Sequence, residues 1–217
     1  MRRLFFLFFS FPLFLFSDGL QQDINQATAI IRQFQSIPES GIPGEILRNA
    51  KGLAIFKVLK GGFIFSGRVG RGIVIAKTPD GWSAPSAIGL GGVGYGLQIG
   101  GQITDFVIVL NTQAAVDAFS RGGNITLGGD VSIAAGPVGR SVEAGISVPL
   151  AAMYSYSRSK GLFAGVSLEG TVLVERGGVN ESFYGRPVSA RELLSGDVPQ
   201  PKSAKGLYNQ LNRFSKN

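Results

Sequence analysis

From Leu20 the chain carries a helical rhythm. Leu20, Ile24, Ala27, Ile31 and Phe34 recur at steps of four, three, four and three, which lines one face of a helix over residues 20–36. Ser17 or Asp18 stands where an N-cap is expected. The opposite face, Gln21, Gln22, Asn25, Thr28, Arg32 and Gln33, is polar but barely charged. Such a helix either packs on its own domain or leaves it to lie in a membrane interface. After Pro38 and Pro43 the rhythm changes to short apolar runs broken by glycine. LAIFKVL (53–59), GFIFSGRV (62–69) and GIVIAK (72–77) are rich in the Ile, Val and Phe that strands prefer. Pro79-Asp80-Gly81 supplies turn chemistry before Trp82. ITDFVIVL (103–110) reads as a buried strand. It leads into a short helix capped by Asn111 or Thr112, with Val116 and Phe119 inward and Gly122 as its stop.

VSIAAG, VEAGISV, AAMYSYS and FAGVSLEGTVLVE follow as further strands. Ser189 and Glu192 have capping-box spacing, and a last helix near 203–214 places Leu207, Leu211 and Phe214 on one face. Runs of strands with peripheral helices predict an α+β fold. The expectation is a single domain, with an antiparallel sheet or partly closed barrel, an N-terminal amphipathic helix and short peripheral helices. Composition agrees: 32 glycines in 217 residues are about 15%, roughly twice the usual share.

Two absences narrow the chemistry. Without Cys there is no disulfide framework or thiolate nucleophile, and without His no Ser-His-Asp arrangement or histidine-bearing metal site. Asp105, Asp130, Glu169 and Glu175 sit in or beside apolar strands, where a structural hydrogen bond is the simpler role. Gly89-x-Gly91-x-x-Gly94 matches a dinucleotide fingerprint as a string, but no helix follows to receive a pyrophosphate. Neither a nucleotide nor a nucleic acid is expected as partner, and no cofactor. Asn124-Ile-Thr126 and Asn180-Glu-Ser182 are N-glycosylation triplets that matter only in a secreted chain.

The net charge of +7 is concentrated. Between Glu45 and Asp80 lie Arg48, Lys51, Lys57, Lys60, Arg68, Arg71 and Lys77 with no acid among them, whereas the remainder holds 14 bases and 14 acids. A localised basic surface calls for an anionic partner. Ahead of the domain, Met1-Arg2-Arg3 precedes LFFLFFSFPLFLF, thirteen residues where a helix crossing a ~30 Å bilayer core needs ~20. Residues 1–19 read as an apolar leader, signal-like or membrane-inserting.

AKGLAI (50–55), KGGF (60–63), DGWSAPSAIG (80–89), LGGDVSIAAGPVGR (127–140), SRSKGLFAGVSLEG (157–170), Glu175-Arg176 and FYG (183–185) closely resemble the SYLF-domain family over about residues 20–214. The residues read here do not include the SH3 domain that follows in many members. The resemblance implies a non-enzymatic module for phosphoinositide-rich, anionic membranes, with actin filaments as a further partner in some members. It implies a cytoplasmic, membrane-associated protein of endocytosis or ruffling, or a secreted or envelope form if the leader acts as a signal. Anionic head groups would meet Arg32, Lys51, Lys57, Lys60, Arg68 and Arg71, while Ile31 and Phe34 enter the apolar layer. The competing reading is an actin-binding interaction protein for which lipid is secondary.

Overall fold

The computed structural model describes residues 19–36, 41–63, 65–95, 100–130, 132–137, 151–160, 168 and 170–214. The leader, the VEAGISV run (142–148), residues 163–167 and Glu169 of the FAGVSLEGTVLVE run, and the possible caps Ser17 and Asp18 lie outside the described residues.

The helical rhythm produces helix α1, Leu20–Gln35, which begins at Gly19 without a side-chain cap. A short helix α2, Gly44–Asn49, follows, one that the sequence reading did not foresee. The three runs expected between 53 and 77 are two long strands, β1 (Gly52–Phe63) and β2 (Phe65–Thr78). GFIFSGRV is therefore no strand of its own; it is shared between the end of β1 and the start of β2. Glycines 61, 62, 67, 70 and 72 do not break these strands because they are paired in register. At Gly72 an added Cβ would collide with the Ile55 carbonyl, so a side chain there would push β1 away. Asp80 and Gly81 turn the chain into the two-residue β3 (Gly81–Trp82), which pairs back on β2.

Strands β4 (Ser86–Tyr95) and β5 (Gly100–Leu110) come next, then helix α3 (Gln113–Ser120), whose cap Thr112 accepts the Ala115 N–H at 3.1 Å. Short β6 (Asn124–Thr126) and β7 (Ile133–Ala135) precede β8 (Met153–Lys160) and β9 (Val172–Glu175). Helices α4 (Gly177–Tyr184), α5 (Ala190–Ser195) and α6 (Lys205–Phe214) close the chain. The capping box of α5 is present as the spacing predicts. The Ser189 N–H and hydroxyl, with Arg186, hold the exposed Glu192 carboxyl below its usual range.

The strands form one curled sheet, a half-barrel, in the order β6-β9-β4-β2-β1-β5-β8-β7. Every pairing is antiparallel except β7 with β8, so the α+β expectation holds with one parallel edge. Helices cover both faces. On one, Ile55, Ile73, Val107 and Tyr156 meet α1, α2 and α6 through Ile24, Ile31, Leu47, Leu207 and Leu211. On the other, Phe56 stacks on Phe106 at 5.5 Å and meets Val116 and Phe119 of α3 and Leu194 of α5.

The stripe of α1 belongs to this core, which corrects the expectation of an apolar face available to lipid. Ile31 is 0% and Phe34 4% exposed, because the stripe that suits a membrane interface suits a sheet face equally well. Docked, it removes Leu20, Ile24, Ile30, Ile31 and Phe34 from water at roughly 1.5–3 kcal/mol each.

Phe34→Ala is expected to lower the free energy of unfolding by about 3–5 kcal/mol and Ile31→Ala by about 2–5 kcal/mol, measured by urea denaturation without lipid. Three tyrosines set the alkaline limit. The hydroxyls of Tyr156, Tyr184 and Tyr208 donate to the carbonyls of Pro137, Pro85 and Ser83, and burial pushes all three above the usual phenol value. A phenol with a raised folded pKa stabilises fully below its unfolded value near 10 and loses that contribution as pH climbs further. With no His or Cys, stability should be flat between about pH 6 and 9 and fall above about pH 10. Denaturant midpoints across that range test this.

Candidate functional site: a charged row beneath the N-terminal helix

Register turns the strand sequences into rows across the sheet. On the α1 face, Ala87, Ile73, Ile55, Val107 and Tyr156 are successive partners and form an apolar row under the helix. One step outward, ~7 Å along the strands, the partners are Gly89, Arg71, Lys57, Asp105 and Arg158. The next step returns to apolar residues: Gly91, Val69, Leu59 and Ile103. A charged row thus crosses an otherwise apolar face where α1 ends its cover.

Asp23 of α1 sits on that row, fully buried. Its Oδ2 accepts from Arg176 Nη1 at 2.7 Å, and its Oδ1 lies 3.4 Å from Arg71 Nε. Arg176, at the entry to α4, is 9% exposed and passes over Gly89, where a Cβ would only touch its stem, at 3.4 Å. One charge-assisted hydrogen bond from Arg176 and the ion pair with Arg71 offset the desolvation of this buried carboxylate. Beside them Lys57 Nζ stands 3.5 Å from the buried Asp105, with its side chain 42% exposed. The row gathers four cations (Arg176, Arg71, Lys57, Arg158) and two carboxylates (Asp23, Asp105).

The candidate residues read from sequence separate here. Lys57 and Arg71 share the α1 face, whereas Lys60 and Arg68, direct partners across β1 and β2, project from the opposite face. Arg68 Nη1 donates to Thr171 Oγ1 at 3.2 Å. Arg71 is corrected from a surface cation to an inward one, 11% exposed in its side chain, because Asp23 draws it under the helix. Lys51 is exposed at the far end of β1, near Lys77, and Arg32 is exposed on α1's solvent side. Lys77 donates to the Leu47 and Arg48 carbonyls at the end of α2 and lies over the Trp82 ring; burial first, then the Lys51 charge, lowers its pKa. Ile31 and Phe34 sit in the core beside none of these. The basic segment is therefore two clusters on different surfaces, not one patch.

Other candidates resolve as structure. Asn180 is fully buried: its Oδ1 accepts from the Ala87 N–H at 2.8 Å, and its Nδ2 donates to Ser86 and Glu175. As folded it is no glycosylation acceptor, while Asn124 is exposed on β6. The Gly89/Gly91/Gly94 string runs along β4. Asp130 is exposed and its Oδ2 accepts from the Thr126 N–H, and Glu175 accepts from the Ala190 N–H. Asp23 and Arg176 escaped sequence reading because 153 positions separate them. The one signal was an acid on the apolar side of α1, next to Ile24. Among the described residues no helix is long and apolar enough to cross a membrane.

These features define an α+β half-barrel domain whose N-terminal helix is locked onto a charged row of the sheet. A family model described as Ysc84, Las17-binding protein actin regulator, matches residues 91–214, and the chain belongs to that family, in agreement with the SYLF resemblance. SH3 domain-containing YSC84-like protein 1 of Rattus norvegicus is 47% identical over 205 residues, 91% of this chain and 60% of that protein. An SH3 domain-containing protein of Schizosaccharomyces pombe is 58% identical over 175 residues, 79% of this chain and 41% of its own length. LAS seventeen-binding protein 3 of Saccharomyces cerevisiae is 52% identical over 174 residues, 78% and 38% of the two chains. The chain thus spans between about two fifths and three fifths of these relatives.

Removing Asp23 leaves Arg176 buried without its carboxylate. Asp23→Ala is expected to cost about 3–5 kcal/mol of stability, while Arg186→Ala, which breaks the exposed pair with Glu192, costs less than about 1 kcal/mol. Guanidinium chloride unfolding of both variants measures the contrast.

Proposed function

We infer that this domain is a non-enzymatic adaptor module that joins anionic, phosphoinositide-bearing membrane to the actin machinery on the cytoplasmic side. The observation that carries the membrane half is an asymmetry of burial. The acids Asp105 of β5 and Asp23 of α1 are 5% and 0% exposed and lie on the α1 face, whereas on the opposite face the cations Lys60 and Arg68 stay partly open to solvent. A bilayer surface rewards that arrangement at about 1 kcal/mol per cation, in a salt-sensitive way. The actin half is supported by the family description, Las17-binding protein actin regulator, and by the name of one relative, LAS seventeen-binding protein 3. Because Ile31 and Phe34 are core residues, adsorption of the folded domain rests on charge. Helix α1 would contribute apolar anchoring only by undocking.

Co-sedimentation with liposomes containing a phosphoinositide tests this. Lys60→Glu with Arg68→Glu should weaken binding at least about tenfold and flatten its salt dependence, whereas Arg191→Glu with Arg213→Glu should change it little. Equal losses from the two pairs, in variants that unfold like the parent, would remove the basic strands as the membrane surface. Co-sedimentation with actin filaments in parallel separates the two partners: binding to filaments without binding to liposomes favours the interaction-protein reading.

A further inference from the structure

On the α1 face, a cavity of about 160 Å³ lies between the helix and the sheet just outside the charged row. Its floor is aliphatic: Leu59, Val69 and Ile103, neighbours across three strands, with Ile103 45% exposed. Its inner wall is polar, formed by Lys57, Arg71 and Gln26 of α1. The Gln26 amide nitrogen is buried there without a hydrogen-bond partner. A buried donor with no acceptor is costly unless a ligand completes it.

We propose that this cavity binds the carboxylate end of a single aliphatic chain, as in a medium-chain fatty acid. The carboxylate would accept from Gln26 Nε2 and pair with Lys57, and the chain would lie over Val69, Leu59 and Ile103. Three arguments select this occupant. The row holds four cations against two carboxylates, so one further carboxylate lowers its excess charge. A cavity of about 160 Å³ takes a carboxylate and the first carbons of a chain that leaves it outward, but not a phosphorylated inositol ring, which sets the site apart from the membrane surface proposed above. A peptide laid on this floor would bury its own amides against strands whose backbone groups are already paired, whereas an alkyl chain has none to satisfy. Outward, the next row is Gly67, Gly61 and Gly101 with Val93 at its β4 end, 91% exposed. Those glycines add no side chain to block the chain's exit.

The test is calorimetric titration of the full chain with sodium octanoate, 1-octanol and octyltrimethylammonium, each below its micelle-forming concentration. Octanoate is expected to bind one per chain, at least about tenfold tighter than the other two. Ile103→Gln, at a half-exposed position that the fold tolerates, should weaken octanoate about tenfold. Lys57→Met should weaken octanoate several-fold without changing octanol, and Gln26→Leu does the same if loss of the Asp105 partner unfolds the lysine variant. Lys60→Glu with Arg68→Glu, on the opposite face, should leave octanoate binding unchanged whatever it does to liposomes. That keeps the failure of this site distinct from failure of the membrane surface. Equal affinity for octanoate and the cationic amphiphile would overturn the proposal. So would an octanoate affinity unmoved by Ile103→Gln, or tighter binding at this site by an acidic peptide.

Discussion

The seat of α1 on the sheet is the constraint on which the rest of the structure depends. Its apolar stripe supplies most of the driving force, and Asp23 supplies the register. A carboxylate with no exposure is tolerable only where Arg176 and Arg71 meet it, so the helix fits one position across the strands. That contact ties residue 23 to residue 176 and closes the fold between its first and last thirds.

Everything outward of the charged row follows from where α1 stops. Under the helix the sheet is a conventional core; beyond it the same strands continue with aliphatic and glycine rows that nothing described covers. The cations of β1 and β2 consequently serve different ends. Arg71 belongs to the lock, Lys57 stands at its margin, and Lys60 and Arg68 face the other way. A stretch that looks uniform as a charge count has one structural, one intermediate and two surface roles. The alternation of side chains along a strand decides which is which.

Much of the architecture is legible in local pattern. The helix over residues 20–35, the buried β5, the Thr112 cap and the Ser189/Glu192 box follow from periodicity and capping chemistry that need no distant partner. The hairpin of β1 and β2 was less legible. Its glycines mimic breaks, and only the close approach of Ile55 to Gly72 explains their presence inside strands. Helices α2 and α4 are six and eight residues long, too short to show a clear period.

The sequence by itself determined the fold class, the family and the absence of histidine and cysteine chemistry, because these rest on composition, local spacing and contiguous motifs. Whether the stripe of α1 faces lipid or sheet was not decidable there, since both are apolar and reward the same spacing. Tertiary structure decided it by burying Ile31 and Phe34, and it divided the basic residues by register between two faces. The Asp23–Arg176–Arg71 lock likewise exists only in three dimensions. Its energy comes from charges brought together out of water, and no local pattern records which distant side chain will arrive.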